Sequence, residues 1–321
     1  MDSQPLKITD VLSRDEIREL VTPTDYEGWL ALLTSWSIIA GSFALVAWQP
    51  HWVTILVALV LLGGRQLALA ILMHEATHYS LFKSRWLNDT LGKWLIAEPV
   101  WQHLDQYRIH HMQHHKYTGT EKDNDLVLSK PFPVSKKSLA RKFARDLLGI
   151  SGFKRVIGLM MMDLGYIEYT ASVSAGKIDQ EGRPFSDVIK TGWRRLGPVF
   201  ITNALMFTVL ALLGHGWLYL LWIAAYMTTF SLFVRIRSIA EHAGTDHGDN
   251  PWRNTRTTYA NWLERLTIAP HRVNYHLEHH LLMTVPHYRL KRMHKLLKDK
   301  RVLDESPVFS GYRQVLSAVV R

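Results

Sequence analysis

GWLALLTSWSIIAGSFALVA, residues 28–47, runs for twenty residues without a charge. At about 1.5 Å of rise per residue, a helix of that length crosses a hydrocarbon core of about 30 Å. After Trp48-Gln49-Pro50-His51 a second apolar run, residues 52–73, is interrupted only by Arg65 and Gln66. So short a break joins two antiparallel helices. The plan recurs in residues 196–213, the turn Gly214-His215-Gly216, and residues 217–236. Four apolar runs of this length are too many for the core helices of a soluble protein. The expected fold is all-α, an integral membrane protein with four transmembrane helices in two hairpins and a histidine-rich helical cap.

Charge orients the hairpins. Both turns lack Lys and Arg, whereas Arg194, Arg195, Arg235 and Arg237 flank the second hairpin and Arg65 and Lys83 follow the first. By the positive-inside rule the turns face away from the cytoplasm, while the cap and both termini face it. Only about 20 Å of helix separates Trp52 from Arg65. The second helix therefore reaches the interface early and continues as one rod into the cytoplasm, and the fourth behaves alike past Arg235 and Arg237. His74 and His242 ride on these two rods.

The whole composition agrees with a lipid environment. Lys+Arg 38 against Asp+Glu 28 gives a formal charge of +10, which suits either nucleic acid or an anionic membrane surface. Twelve Trp and twelve Tyr favour the membrane, where such rings settle at the interface, so no nucleic-acid partner is expected. The absence of cysteine excludes disulfides, thiolate-ligated iron–sulfur or zinc, and a cysteine nucleophile.

Residues 1–27 are expected to form a cytoplasmic arm. Met1 to Tyr26 is too polar for an export signal, and Ser13 with Glu16 fits a capping box opening a short helix through Leu20. Residues 28–321 then make a single membrane domain, with the cap in residues 74–195 and 237–321. Within the cap, Arg85–Arg108 and Leu147–Val173 are too polar to span and suit interfacial helices. Lys130–Arg145 reads as an exposed connection, and His287–Arg301 as a basic amphipathic helix with Leu290, Met293, Leu296 and Leu297 on one face. Residues 271–321 hold ten Lys/Arg against four Asp/Glu, a surface suited to anionic headgroups or an acidic protein.

Seventeen histidines carry the chemistry. His74-Glu75-Ala76-Thr77-His78 sets two imidazoles one helical turn apart on one face. His111-Met112-Gln113-His114-His115 adds three at i, i+3 and i+4, and His276-Leu277-Glu278-His279-His280 repeats that spacing. Neutral imidazole binds iron, copper and zinc. A structural zinc takes four ligands and a catalytic zinc three. Eight imidazoles on one side therefore imply two metal ions, and a redox pair in such a cage suggests iron acting with O₂. The first box also matches the zincin pattern, with Glu75 as general base between His74 and His78. A membrane zinc protease is the rival from that direction, though it leaves the other two boxes unexplained.

The order of boxes and spans resembles the membrane fatty acid desaturase superfamily, whose relatives include acyl-lipid desaturases, hydroxylases and carotenoid oxygenases. The resemblance runs from about Leu72 to Leu297 and includes Tyr117-Thr118-Gly119-Thr120, Arg237-Ser238-Ile239-Ala240-Glu241-His242 and Asn274-Tyr275-His276. It implies a di-iron, O₂-dependent lipid oxidase with every box cytosolic. It also implies a metal-ligand role for His242, which matches a family histidine just beyond the last span, beside His74, His78, His111, His114, His115, His276, His279 and His280. Where some relatives carry an assisting asparagine one turn before that histidine, this chain has Ser238. Fatty acyl desaturation is the expected activity, with hydroxylation or ketolation of a lipid or carotenoid as the rival on the same machinery.

Glu75, Glu241 and Glu278 each adjoin a ligand histidine and are candidates to accept an imidazole N–H, against the plain alternative of surface glutamates. Asp123 and Asp125 could do the same, although a solvated loop is the simpler reading. His103, His110, His215, His247, His271, His287 and His294 fall outside the boxes and are expected to be mostly surface or packing residues, His110 and His271 being the leading exceptions. Met160-Met161-Met162 reads as packing rather than an acyl tunnel. No haem-binding or G-x-G-x-x-G segment is found, so electrons are expected from a separate protein, ferredoxin, rubredoxin or cytochrome b5. The basic face bearing Lys291, Arg292, Lys295 and Lys298 is its expected dock.

Overall fold

The structure, a computed structural model, describes residues 5–171 and 175–321. Met1 and Val173, which bound two of the expected segments, fall outside them. Four helices are long and apolar enough to cross a membrane: Asp25–Trp48, Trp52–Thr77, Phe185–Leu212 and the stretch Gly216–His242. With the arm helix Arg14–Val21 as α1, the first two spans are α2 and α3. The histidine-bearing Leu104–Tyr117 is α4, Ile150–Asp163 is α5 and the third span is α6. The fourth comprises α7 (Tyr219–Met227) and α8 (Thr229–His242). His276–Leu281 is α9 and His287–Asp299 is α10. Strand is confined, among the described residues, to the two-residue parallel pair Thr257–Thr258 with Val308–Phe309 and three isolated bridges.

The second span is the hub. It packs against α2, α4, α7 and α8, and from Leu62 to Thr77 all but Ala70 of its residues are buried. Close approach is built into the sequence at Gly63, where a Cβ would sit 2.2 Å from Thr229 Oγ1 and 2.8 Å from the Phe230 nitrogen. Thr229 Oγ1 in turn donates to the Leu59 carbonyl at 2.6 Å. As expected for one rod, α3 runs unbroken from Trp52 into the box at His74.

The fourth span departs from the expected continuous rod. It breaks at Thr228, whose φ of −113° and ψ of −87° are not helical. A break inside a span strands backbone carbonyls that lipid cannot satisfy. Here the Tyr226 carbonyl accepts from Arg155 of α5, and the Met227 carbonyl accepts from Ser231 at 2.9 Å. The expectation failed because residues 217–234 carry no charge to mark a break, whereas the break is held in part by Arg155 from another helix.

Arg65, where the second helix is expected to reach the interface, is 4% exposed and donates through Nη2 to the Leu266 carbonyl at 2.6 Å. Arg235 binds the buried Asp146, Nη2 to Oδ1 at 2.9 Å. The arm is likewise anchored. Its helix has both capping-box bonds, Glu16 N–H to Ser13 Oγ at 3.2 Å and Ser13 N–H to Glu16 Oε2 at 2.7 Å. Leu12 and Leu20 join Leu277, Leu290, Met293 and Leu297 in a second apolar core under α10.

Candidate metal centre

Nine histidines on or beside α3, α4, α8 and α9 converge in two groups. His74, His78, His111, His115 and His279 form one, and His114, His242, His276 and His280 the other. Within each, one nitrogen per ring lies within 4.8 Å of all the rest. Each HxxHH box is split between the groups. On α4 the i, i+4 pair His111 and His115 enters the first and His114 the second, while on α9 the pair His276 and His280 enters the second and His279 the first.

Two of the outward nitrogens meet acceptors. His114 Nδ1 meets Asp123 Oδ1 at 2.7 Å, and His242 Nδ1 meets the Asn254 carbonyl at 3.4 Å. A carboxylate or carbonyl only accepts, so the proton sits on Nδ1 and the Nε2 lone pair faces inward. The inward atoms crowd together: Nε2 to Nε2 is 3.1 Å for His78 and His111, 2.9 Å for His111 and His115, 2.9 Å for His115 and His279, and 2.9 Å for His242 and His276. Both ring nitrogens of His74 and Nδ1 of His279 are buried with no hydrogen-bond partner among the described residues.

Lone pairs converging at this spacing fit a cation. Two imidazole nitrogens bound at right angles to one ion, at the roughly 2.1 Å usual for such ligands, lie about 3 Å apart. Burial pushes His111, His115, His276, His279 and His280 well below the usual imidazole range and takes His78 down to about 3, so these rings stay neutral and keep their lone pairs. His114 goes the other way. Burial lowers it, but the hydrogen bond to Asp123 and the charges of Asp125 and Asp123 outweigh that and raise it, which makes a stronger donor.

The three glutamates differ. Glu75 Oε1 lies 3.6 Å from His74 Nδ1, and its Oε2 accepts from the His287 N–H at 2.8 Å and the Ser80 hydroxyl at 3.1 Å. Glu241 Oε1 lies 3.6 Å from His276 Nδ1 and is paired with Arg237. Glu278 bonds Thr257 and His294, not a box imidazole, among the described residues. Both Glu75 oxygens are thus engaged, one beside His74 Nδ1 and the other by the His287 N–H and the Ser80 hydroxyl, rather than left free as a zincin base would be.

Several residues outside the boxes belong to the site. Asp123 is 9% exposed and supports His114 directly, instead of sitting in a solvated loop. Asp125 takes His110 Nε2 at 3.0 Å. His287 and His294, expected to be surface or packing residues, are buried against Glu75 and Glu278, and His103 is buried between Asp163 and Glu98. His271 Nε2 meets Ser35 Oγ at 3.1 Å, while His247 is exposed. Ser238 is half-buried and outside both groups, and of the three methionines only Met162 is buried. Histidines 287 and 294 carried one signal, their position on the apolar face of α10 beside Leu290 and Leu297; Asp123 carried its place just after the second box, against which a solvated loop is the simpler reading.

The fatty acid desaturase family model matches residues 48–311, which include all nine histidines. The chain belongs to the fatty acid desaturase family. It is 27% identical to the dihydrorhizobitoxine desaturase of Bradyrhizobium elkanii, over 85% of this chain and 76% of that protein. It is 25% identical to an sn-1 acyl-lipid omega-3 desaturase (ferredoxin) of a Nostoc species, covering 81% and 72%. With an sn-1 oleoyl-lipid 12-desaturase of a Picosynechococcus species the identity is 23%, covering 92% and 83%. This desaturase-family chain is therefore a membrane oxidoreductase of lipid type, and its histidine clusters are compatible with a metal site.

Proposed function

We propose that this protein is an O₂-dependent di-iron fatty acyl desaturase that introduces a C=C bond with electrons from an external donor protein. The observation that carries the reading is the gathering of nine imidazoles into a group of five and a group of four. His74, His78, His111, His115 and His279 would hold one iron, and His114, His242, His276 and His280 the other. Bound there, the pair would supply the oxidation of an unactivated methylene, which no side-chain acid or base can perform. The chain does the rest. Asp123 and the Asn254 carbonyl keep protons on the outer nitrogens of His114 and His242, Glu75 and Glu241 stand beside the outer nitrogens of His74 and His276, and burial of six of the nine rings limits water at the centre.

The four spans form two hairpins in this reading, with both termini and the cap on the cytoplasmic side, as the Lys- and Arg-free turns and the basic flanks support. Ferredoxin, named for the Nostoc relative, is one candidate donor beside rubredoxin and cytochrome b5. Lipid or carotenoid hydroxylation would use the same centre. Expression in a host without the activity, followed by mass spectrometry of its lipids, separates the outcomes: desaturation gives a product lighter by two hydrogens, and hydroxylation one heavier by an oxygen. Active protein containing one zinc and no iron would defeat both.

A further inference from the structure

The basic helix α10 has two unlike flanks. On one, Arg289 donates to the Glu19 carbonyl, Arg292 Nη2 meets Glu19 Oε2 at 2.7 Å and Lys300 Nζ meets Glu16 Oε1 at 3.1 Å, so the arm occupies these cations. On the other, Lys291, Lys295 and Lys298 are exposed with no ion-pair partner among the described residues. Helical periodicity places these three at i, i+4 and i+7, one stripe alongside His294. The expected dock thus loses Arg292 to the arm and keeps its three lysines.

What lies beside the stripe gives it a direction. His294 Nε2 accepts from Tyr259 Oη at 2.8 Å, and its Nδ1 donates to Glu278 Oε1 at 2.6 Å. Glu278 is fully buried on α9, between His276 of one metal group and His279 of the other, whereas Tyr259 is 37% exposed. A hydrogen-bonded chain therefore joins an exposed ring at the edge of a positive stripe to the helix that serves both groups.

We infer that the stripe Lys291, Lys295 and Lys298, with Tyr259 at its edge, is the docking face for an acidic one-electron carrier protein. The inference rests on the desaturase reading, which needs two electrons from outside. In each encounter one electron passes, the carrier being oxidised by one and the metal pair reduced by one, with no bond made or broken; two encounters complete the supply. Clustered positive charge speeds such encounters and makes them weaken with salt. Anionic headgroups would satisfy the lysines equally, but the buried link from Tyr259 to α9 favours the carrier.

The test uses the full chain in phosphatidylcholine nanodiscs with a ferredoxin as probe. Combined Lys291→Glu, Lys295→Glu and Lys298→Glu substitutions are expected to weaken binding at least tenfold and to flatten its salt dependence. The same reversal at the exposed Lys136, Lys137 and Arg141 is expected to leave it within twofold. Acetylation of the three lysines, read by mass spectrometry, is expected to fall when ferredoxin is added. Unchanged affinity in the triple variant, or lysines shielded by phosphatidylglycerol nanodiscs but not by ferredoxin, would overturn the inference. Active protein that holds one zinc and no iron, yet binds ferredoxin through this stripe, would defeat the desaturase reading and leave the docking face standing.

Discussion

At the scale of single residues, support of the rings matters as much as the rings. Asp123 fixes the His114 proton on Nδ1 over a 2.7 Å contact, so Asp123→Ala is expected to lower metal affinity about 10- to 100-fold without removing a ligand. Metal titration of the purified variant checks this; wild-type affinity would show that Asp123 is a bystander. His279→Ala should abolish iron loading and product together, whereas His247→Ala, at an exposed position, should leave both unchanged. His103 offers a pH signature. Burial opposes its charge, but the hydrogen bond to Asp163 and the nearby Glu98 carboxylate outweigh this and raise it to about 9. A group raised in the folded state stabilises fully below its unfolded value near 6.5 and loses that contribution as pH climbs through about 9. The melting temperature should therefore fall between pH 7 and pH 10, and His103→Gln should flatten that fall.

At the scale of elements, α3 sets the spacing of everything around it. Gly63 lets the backbone of α8 approach, and a methyl there would meet Thr229 Oγ1 and the Phe230 nitrogen. Gly63→Ala is expected to destabilise the protein by about 1–3 kcal/mol, the usual cost of overpacking, read as a lower melting temperature in detergent. Because α8 carries His242, the same substitution should also reduce occupancy of the second metal group; a variant with native melting and full metal would refute the role of this contact. Among elements, the box helices, the capping box and the apolar stripe of α10 were legible in the sequence, since each is a local pattern of period or spacing. The break at Thr228 and the burial of Arg65 were not, because their stabilising partners, Arg155 and the Leu266 carbonyl, come from other segments.

At the scale of the whole molecule, the arm is packed against α10 far along the chain. Leu20 is 1% exposed in the core shared with Leu290 and Leu297. Leu20→Ala is expected to cost about 2–5 kcal/mol and to raise hydrogen exchange in α10 before the spans; uniform exchange would mean the arm is not coupled to it. Four apolar runs and three histidine boxes were determined by the sequence alone, because run length and i, i+3, i+4 spacing are properties of a single segment. They were enough for the family and for an all-helical membrane protein. The division of nine imidazoles into five and four was decided only in the tertiary structure. Identical HxxHH spacings on α4 and α9 leave open which of their rings meet, and that choice is made by how the two helices are oriented around the end of α3. The same holds for Glu278 and His294, which meet between α9 and α10, where no local pattern records the contact.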